Sequence, residues 1–352
     1  MGKTAPSLRD VAQAAGVSLG TASRALNNKS NVLPTTRAVV LKAAADLGYK
    51  LQIRVPTAVT SKLNTIGVVI KRDPGEIPRL DEFNYTILCG IENECERLGL
   101  NMMYASLPVN EHSHALTWSP LLESDDVDAL IIVGIVFSDP EVTARIPKHI
   151  PVVLVDSYAS GITCDNVVTQ NVRGAYTGVQ YLIEQGHSCI GLIGSAPTCC
   201  EHPSISERRQ GYLKALADYD ITQTYIEDSL LTGKSAYETT VRLLERAPEV
   251  TAIFACNDDV AAVVMRAVKD LKRQIPRDIS VLGFDDGRIA ANTEPPLTTV
   301  RVEKELMGSL AVRQLYERAA NYDRPPITVQ LGTRLVQRSS IYTLANRPEL
   351  SA

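Results

Sequence analysis

The stretch Ser7–Tyr49, SLRDVAQAAGVSLGTASRALNNKSNVLPTTRAVVLKAAADLGY, decides how the amino-terminal part of this 352-residue chain folds. Ser7, with Asp10 three residues on, reads as a capping box, which satisfies N–H groups left without partners at a helix start. Leu8, Val11, Ala12 and Ala15 recur at helical spacing and make one apolar face. Gly16 can enter the left-handed conformation that ends this helix, with Val17 tucked beneath the turn. Ser18 suits the N-cap of a second helix that buries Ala22, Ala25 and Leu26 and turns Leu19, Gly20, Ser23 and Arg24 outward. Pro34 fits the first turn of a third helix, whose expected apolar stripe is Val39, Val40, Ala43, Ala44 and Leu47. A helix pair of this size can lay one helix in a DNA major groove.

Charge points the same way. Residues 1–62 hold nine Lys or Arg against Asp10 and Asp46, a net of +7, so the rest carries −11 for a whole-chain charge of −4. A basic head on an acidic body is suited to phosphate, with a steep dependence of binding on salt.

Residues 7–49 resemble the headpiece of the LacI/GalR family of bacterial transcriptional repressors. The hallmarks are Asp10-Val11-Ala12, Ala15-Gly16-Val17-Ser18, Thr21-Ala22-Ser23-Arg24, Thr36-Arg37 and Gly48-Tyr49. The resemblance implies that Leu19, Gly20 and Arg24 face base edges, while Ser18, Thr21, Asn27 and Arg37 hold phosphates and Tyr49 joins the DNA-binding set. Leu19 can touch a thymine methyl and Arg24 can fork to guanine, whereas Gly20 offers no side chain to read with, so discrimination should rest on Arg24 and Leu19. After Tyr49 the family usually continues through an Ala-rich hinge helix with a Leu wedge. Here the run is KLQIRVPTAVTSKLN, and the wedge position falls on Ala58, which is too small to prise apart a base step. Any helix here should begin near Pro56.

From Asn64 onward short apolar runs alternate with helical patterns. The runs are 65–70, 101–105, 129–133, 152–155, 190–194, 252–255 and 279–284; the helices are 85–98, 171–185, 207–219, 236–246, 259–271 and 303–319. Buried runs between helices imply parallel sheets in an α/β body, and its size allows two lobes. Thr65-Ile66-Gly67-Val68-Val69, Gly90-Ile91-Glu92, Gly186-His187, Gly283-Phe284-Asp285-Asp286 and Pro296-Leu297-Thr298-Thr299-Val300 are similar to the family's effector core. That core is in turn similar to periplasmic sugar-binding proteins. The expected fold is a small all-α helix-turn-helix domain followed by an α/β, two-lobed, periplasmic-binding-protein-like core with parallel sheets. The expected bounds are a headpiece over 1–50, a hinge over 51–64, a core over 65–345 and a tail over 346–352. Within the core, the N-lobe takes 65–166 and 299–326, and the C-lobe takes 167–298 and 327–345.

Ligands of such folds sit between lobes near the carboxyl ends of strands. The polar residues there are Asp156, closing VVLVD, Asn257, closing AIFACN, and Asp285, closing SVLGFD. Arg208 opens the helix carrying Gly211. By the resemblance Asp156, Arg208, Asn257 and Asp285 hydrogen-bond the effector, with Ser204 as an addition. The alternative for strand-end Asp and Asn is capping of the next helix. An Arg fork among carboxylates suits vicinal hydroxyls or a carboxylate. Leu231 stands where the family often has an aromatic platform, and Val302 where it often has Gln; this argues against a flat purine and leaves a sugar or sugar derivative.

The remaining polar residues take ordinary readings. The seven Cys are odd in number and lack metal-ligand spacing, which fits reduced thiols. His112 and His114 belong to a loop, His187 is a structural hydrogen bonder, and Asp125, Asp126 and Asp128 lie in a turn. There is no G-x-S-x-G elbow, P-loop lysine or G-x-G-x-x-G after the first strand, and MGKTAPSLRD is not an apolar signal segment. The expectation is therefore a cytoplasmic, non-enzymatic repressor without cofactor or metal. It would bind a palindromic operator as a homodimer, away from any membrane, under a small carbohydrate effector acting as inducer or corepressor. An effector-dependent activator and a solute-binding protein are the alternatives.

Overall fold

The computed structural model describes residues 7–26, 32–47, 63–73, 81–137, 139, 143–159, 164–195 and 202–344. Contacts divide the chain into two units, Met1–Val59 and Thr60–Ala352.

The first unit contains α1 (Leu8–Ala14), α2 (Leu19–Leu26) and α3 (Pro34–Asp46). The capping box is formed: Asp10 Oδ2 accepts from the Ser7 backbone N–H at 2.7 Å, and Ser7 Oγ accepts from the Asp10 N–H at 3.3 Å. Gly16 has φ +66°, and Val17 N donates back to the Ala12 carbonyl. Val11, Ala12, Ala22, Ala25, Val32, Val40 and Ala44 form the core. The third helix departs from the expected stripe: Val40 and Ala44 are buried and Ala43 partly so, while Val39 and Leu47 are exposed. So small a core is covered by one narrow ridge of α3, which leaves flanking apolar positions outside.

The second unit is built on two six-stranded sheets. In the first the order is β13 (Thr328–Leu331), β7 (Asp165–Thr169), β5 (Val152–Val155), β3 (Ala129–Val133), β1 (Thr65–Arg72), β2 (Asn101–Pro108). In the second it is β14 (Arg334–Val336), β12 (Thr298–Arg301), β11 (Ser280–Asp285), β10 (Ala252–Ala255), β8 (Ile190–Ile193), β9 (Tyr225–Glu227). All neighbours are parallel except the antiparallel pair β12–β14, and β4 (Val136–Phe137) with β6 (Tyr158–Ala159) forms a small separate ribbon. The central strands β3, β5, β8 and β10 are buried throughout, as strands covered on both faces must be. The helices are α4 (Glu82–Leu98), α5 (Asn171–Glu184), α6 (Pro203–Asp218), α7 (Gly233–Arg246), α8 (Asp258–Asp270), α9 (Arg288–Asn292) and α10 (Lys304–Ala320).

Three expected bounds are corrected. β7 belongs whole to the first sheet, so the chain leaves that lobe near residue 170, not after 166. β12 remains in the second sheet to Arg301, not 298, and β13 is in the first sheet although 327 onward had been assigned to the other lobe. Two of the expected bounds cut through strands and the third misassigned one, because DNVVT, TTVR and TVQL carry few consecutive apolar residues. The hinge also ends earlier than 64: Leu63 is buried in the core, and Asn64 N and Thr65 N both donate to the Asp128 carboxylate.

Helices α4 and α10 meet through small residues. A side chain on Gly90 or Gly308 would collide with the backbone of the facing helix at Glu305 or Ile87. Beside this contact Glu94 accepts from Arg97 and from Arg313, the latter at 2.8 Å across the helix pair. The Arg97 and Arg313 hydrogen bonds hold the Glu94 carboxyl down at about 2, from 4.5. A carboxyl whose folded pKa is depressed contributes stability above its unfolded pKa and loses it as pH falls through the folded one. Acid unfolding should therefore weaken the wild type between pH 4.5 and about 2, and Glu94→Gln should lack that component. Superimposable acid profiles in circular dichroism would discount the pairing, which has two partly exposed arginines and is screened accordingly.

Candidate functional site

In the helical head, Ser18 Oγ accepts from Thr21 N at 3.1 Å and lies 2.8 Å from Thr21 Oγ1, so Ser18 caps α2 as its type and place imply. Leu19, Gly20 and Arg24 are exposed on one side of α2, opposite the buried Ala22 and Ala25. Leu19 has 48% of its surface exposed at the helix start. Arg24 Nε donates to the Gly20 carbonyl at 3.1 Å, which orients the guanidinium along the helix. Thr21 and Arg37 are half-buried. Asn27, Tyr49, Pro56 and Ala58 lie outside the described residues, so the expected wedge position does too.

In the core, the carboxyl ends of both sheets supply the second group of residues. Asp156 directly follows β5 and Asp285 ends β11, with φ of +43° and +107°, and Asp286 follows at +50°. Non-glycine residues in this region cost of order 1–3 kcal/mol and collect where a side chain must be aimed. Arg208, 4% exposed on α6, ties the ends together. Its Nε donates to Asn171 Oδ1 at 3.1 Å, its Nη1 to the Cys256 carbonyl at 2.6 Å, and its Nη2 lies 3.0 Å from Asp285 Oδ1. The guanidinium also sits 3.9 Å above the Phe284 ring. Burial pushes the Asp156 and Asp285 carboxyls up, against the pull of Arg208 and, respectively, Lys71 and Lys304.

The other expected residues divide. Ser204 is buried with its Oγ 2.7 Å from His202 Nδ1. His202 Nε2 is 3.2 Å from the Asp156 carbonyl oxygen, which can only accept, so Nε2 carries the hydrogen and Nδ1 accepts from Ser204. Burial, with Lys71 and Arg208 nearby, drives this imidazole down to about 3, and it is neutral. Asn257 turns out to cap α8, accepting from Val260 N at 2.8 Å, so its amide NH2 and one oxygen lone pair are left for a ligand. Val302 is buried in the core, and Leu231 is partly exposed beside Gly194.

Several residues around this cleft went unnoticed in the sequence. Lys71, at the end of β1, lies 3.2 Å from Asp73 and 3.9 Å from Asp81. It is the polar residue that closes TIGVVI, the same signal that singled out Asp156. His202, Tyr158 and Asn171 arrive through long-range packing: Tyr158 meets His202 edge-on at 5.4 Å, and Asn171 bridges Arg208 and Glu207. The lobes also touch where Glu82 Oε1 accepts from Arg288 N at 2.7 Å. No cluster of metal-ligating side chains occurs among the described residues, and none of their helices is long and apolar enough to cross a membrane.

Residues 7–52 match the family described as bacterial regulatory proteins, lacI family, and residues 179–341 match the periplasmic binding protein-like domain. The chain is 30% identical over 344 residues to the HTH-type transcriptional repressor PurR of Proteus mirabilis, covering 95% of this chain and 96% of that protein. It is 29% identical over 340 residues to the HTH-type transcriptional regulator CelR of Thermobifida fusca, covering 95% and 98%. The solved complex of the regulator CelR with cellobiose superposes with a TM-score of 0.66 at 27% identity, covering 95% of this chain and 99% of that one. The Lac repressor dimer bound to operator and the anti-inducer ONPF gives 0.66 at 25%, covering 96% and 100%. Matched end to end by such relatives, the chain belongs to the LacI family: it is a DNA-binding transcriptional repressor, not an enzyme, and a small-molecule effector controls it.

Proposed function

We propose that the protein works in the bacterial cytoplasm as a homodimer on a palindromic operator, with α2 of each copy in the major groove of one half-site. Leu19 and Arg24 read bases, while Ser18, Thr21 and Arg37, together with Asn27 and Tyr49, hold the backbone. Ala58 occupies the hinge position that in the family enters the minor groove. The observation that carries this reading is the exposed Leu19–Gly20–Arg24 face on a helix whose other side is fully committed to the core. The Lac repressor dimer on its operator is the solved precedent for the assembly.

The effector is a sugar or sugar derivative held between the lobes by Asp156, Ser204, Arg208, Asn257 and Asp285. Support comes from the convergence of Arg208, Asp285 and Asp156 at the strand ends, and from the cellobiose bound by the similar CelR. Effector binding changes lobe closure, to which the Glu82–Arg288 contact belongs, and so changes operator affinity.

Selection of bound sequences from a random DNA pool tests the reading. An enriched inverted repeat, whose recovery changes when a carbohydrate mixture is added, is the expected result. A single unpaired half-site would overturn the dimer, and failure to enrich any sequence with or without carbohydrates would overturn the operator reading.

A further inference from the structure

Around Arg208 the cations are committed and the acceptors are open. Arg208, Lys71 and Lys304 are the cations whose charge acts on Asp156 and Asp285. Arg208 is held by Asn171, Cys256, Asp285 and the Phe284 ring. Lys71 lies against Asp73 and Asp81, with Ser113 Oγ at 3.4 Å. Lys304 donates to the backbone carbonyls of Asp285 and Asp286.

The anionic side is different. The Asp156 carboxylate is nine-tenths buried and accepts no hydrogen bond among the described residues. Asp285 meets Arg208 Nη2 at 3.0 Å through Oδ1, which leaves Oδ2. Glu207 accepts from Asn171 Nδ2 on Oε2 at 3.0 Å, which leaves Oε1. Ser204 commits its hydrogen to His202, so it too faces a ligand as an acceptor. Burial raises the carboxyl pKa of Asp156, Glu207 and Asp285. Asp156 is buried and Glu207 and Asp285 are half-buried, and carboxylates drawn out of water are costly until a cation or a full set of donors meets them.

We propose that the effector of this cleft is a hydroxylated amine of the amino-sugar class, its ammonium held among Asp156, Glu207 and Asp285, and that sugar phosphates and sugar acids are excluded. The proposal rests on the effector reading of the cleft given above. An ammonium brings three donors and one positive charge, and its bonds to carboxylates are the charge-assisted kind. A phosphate would meet Asp156, Glu207 and Asp285 with each nearby cation already engaged.

Titration calorimetry on the full chain with matched pairs tests this: glucosamine against glucose, galactosamine against galactose, the chitosan disaccharide against cellobiose, and glucose 6-phosphate. At least one amine should bind about tenfold or more tighter than its hydroxyl counterpart, as expected for hydrogen bonds to charged groups. Asp156→Asn, and independently Glu207→Gln, should reduce that preference, with thermal melts reporting whether each variant is folded. A neutral sugar binding as tightly as its amine, or binding of glucose 6-phosphate, overturns the amine inference and leaves the carbohydrate reading standing. Absence of binding by every member overturns both.

Discussion

Replacing Arg208 by Met should uncouple operator binding from effector altogether, and should also lower the stability of the core. The side chain is buried, and three of its nitrogens are engaged, on Asn171, on the Cys256 carbonyl and against Asp285. Methionine keeps an apolar stem of similar length but removes the one cation, among the described residues, whose charge acts on Asp156, Glu207 and Asp285 alike. Removing one partner of a buried ion pair costs about 3–5 kcal/mol, because the remaining charge is left uncompensated. Arg208→Lys should rescue little, since an ammonium cannot reproduce the fork that spans Asn171 and Asp285. Stability and function can be separated with the double variant Arg208→Met/Asp285→Asn, which removes one stranded carboxylate. It should recover part of the unfolding free energy in urea but none of the effector response in an operator-binding titration. If the double variant regains an effector response, Arg208 is a structural brace and the ligand contacts lie elsewhere in the cleft.

The sequence made the centres of the sheets legible and left the edges obscure, for a physical reason. Strands such as ALIIV and AIFA are covered on both faces and read as unbroken apolar runs, whereas TVQL and RLV are partly exposed edge strands without that signature. The chain passes between lobes next to these edges, which is why two of the expected lobe bounds fell inside β7 and β12 and the third put β13 in the wrong lobe. In the cleft, Asp156 and Asp285 could be found because each ends an apolar strand, and Arg208 because the resemblance pointed to it. His202 and Asn171 carry no such local mark: their roles come from partners 46 and 37 residues away in sequence. Asn257 shows how one signal can serve two purposes, since the side chain expected at the ligand caps α8. The exposed Val39 and Leu47 show that a helical apolar stripe can be wider than the core it covers.

In the head, Arg24→Ala should abolish sequence discrimination while leaving the fold intact. Arg24 is exposed, and its only described hydrogen bond is to the Gly20 carbonyl of its own helix, so the core of Val11, Ala22, Ala25 and Val40 is untouched by the change. Alanine also has high helix propensity, so α2 should keep its helicity. A bidentate arginine–guanine contact is worth about 1–3 kcal/mol of discrimination, roughly tenfold to a hundredfold at each half-site, and a dimer counts it twice. Leu19→Ala should cost less, because a thymine methyl gives an apolar contact without paired hydrogen bonds. The signature is a collapse of the ratio between operator and random DNA with residual low-salt binding retained, since Arg37 and the other basic residues of the head still attract phosphate. Gly20 makes this arrangement specific to Arg24: it supplies no competing side chain, and even an added methyl would sit 3.8 Å from the guanidinium. If Arg24→Ala instead weakens operator and random DNA by the same factor, Arg24 is a phosphate contact, and the burden of reading bases passes to Leu19 and to residues beyond α2.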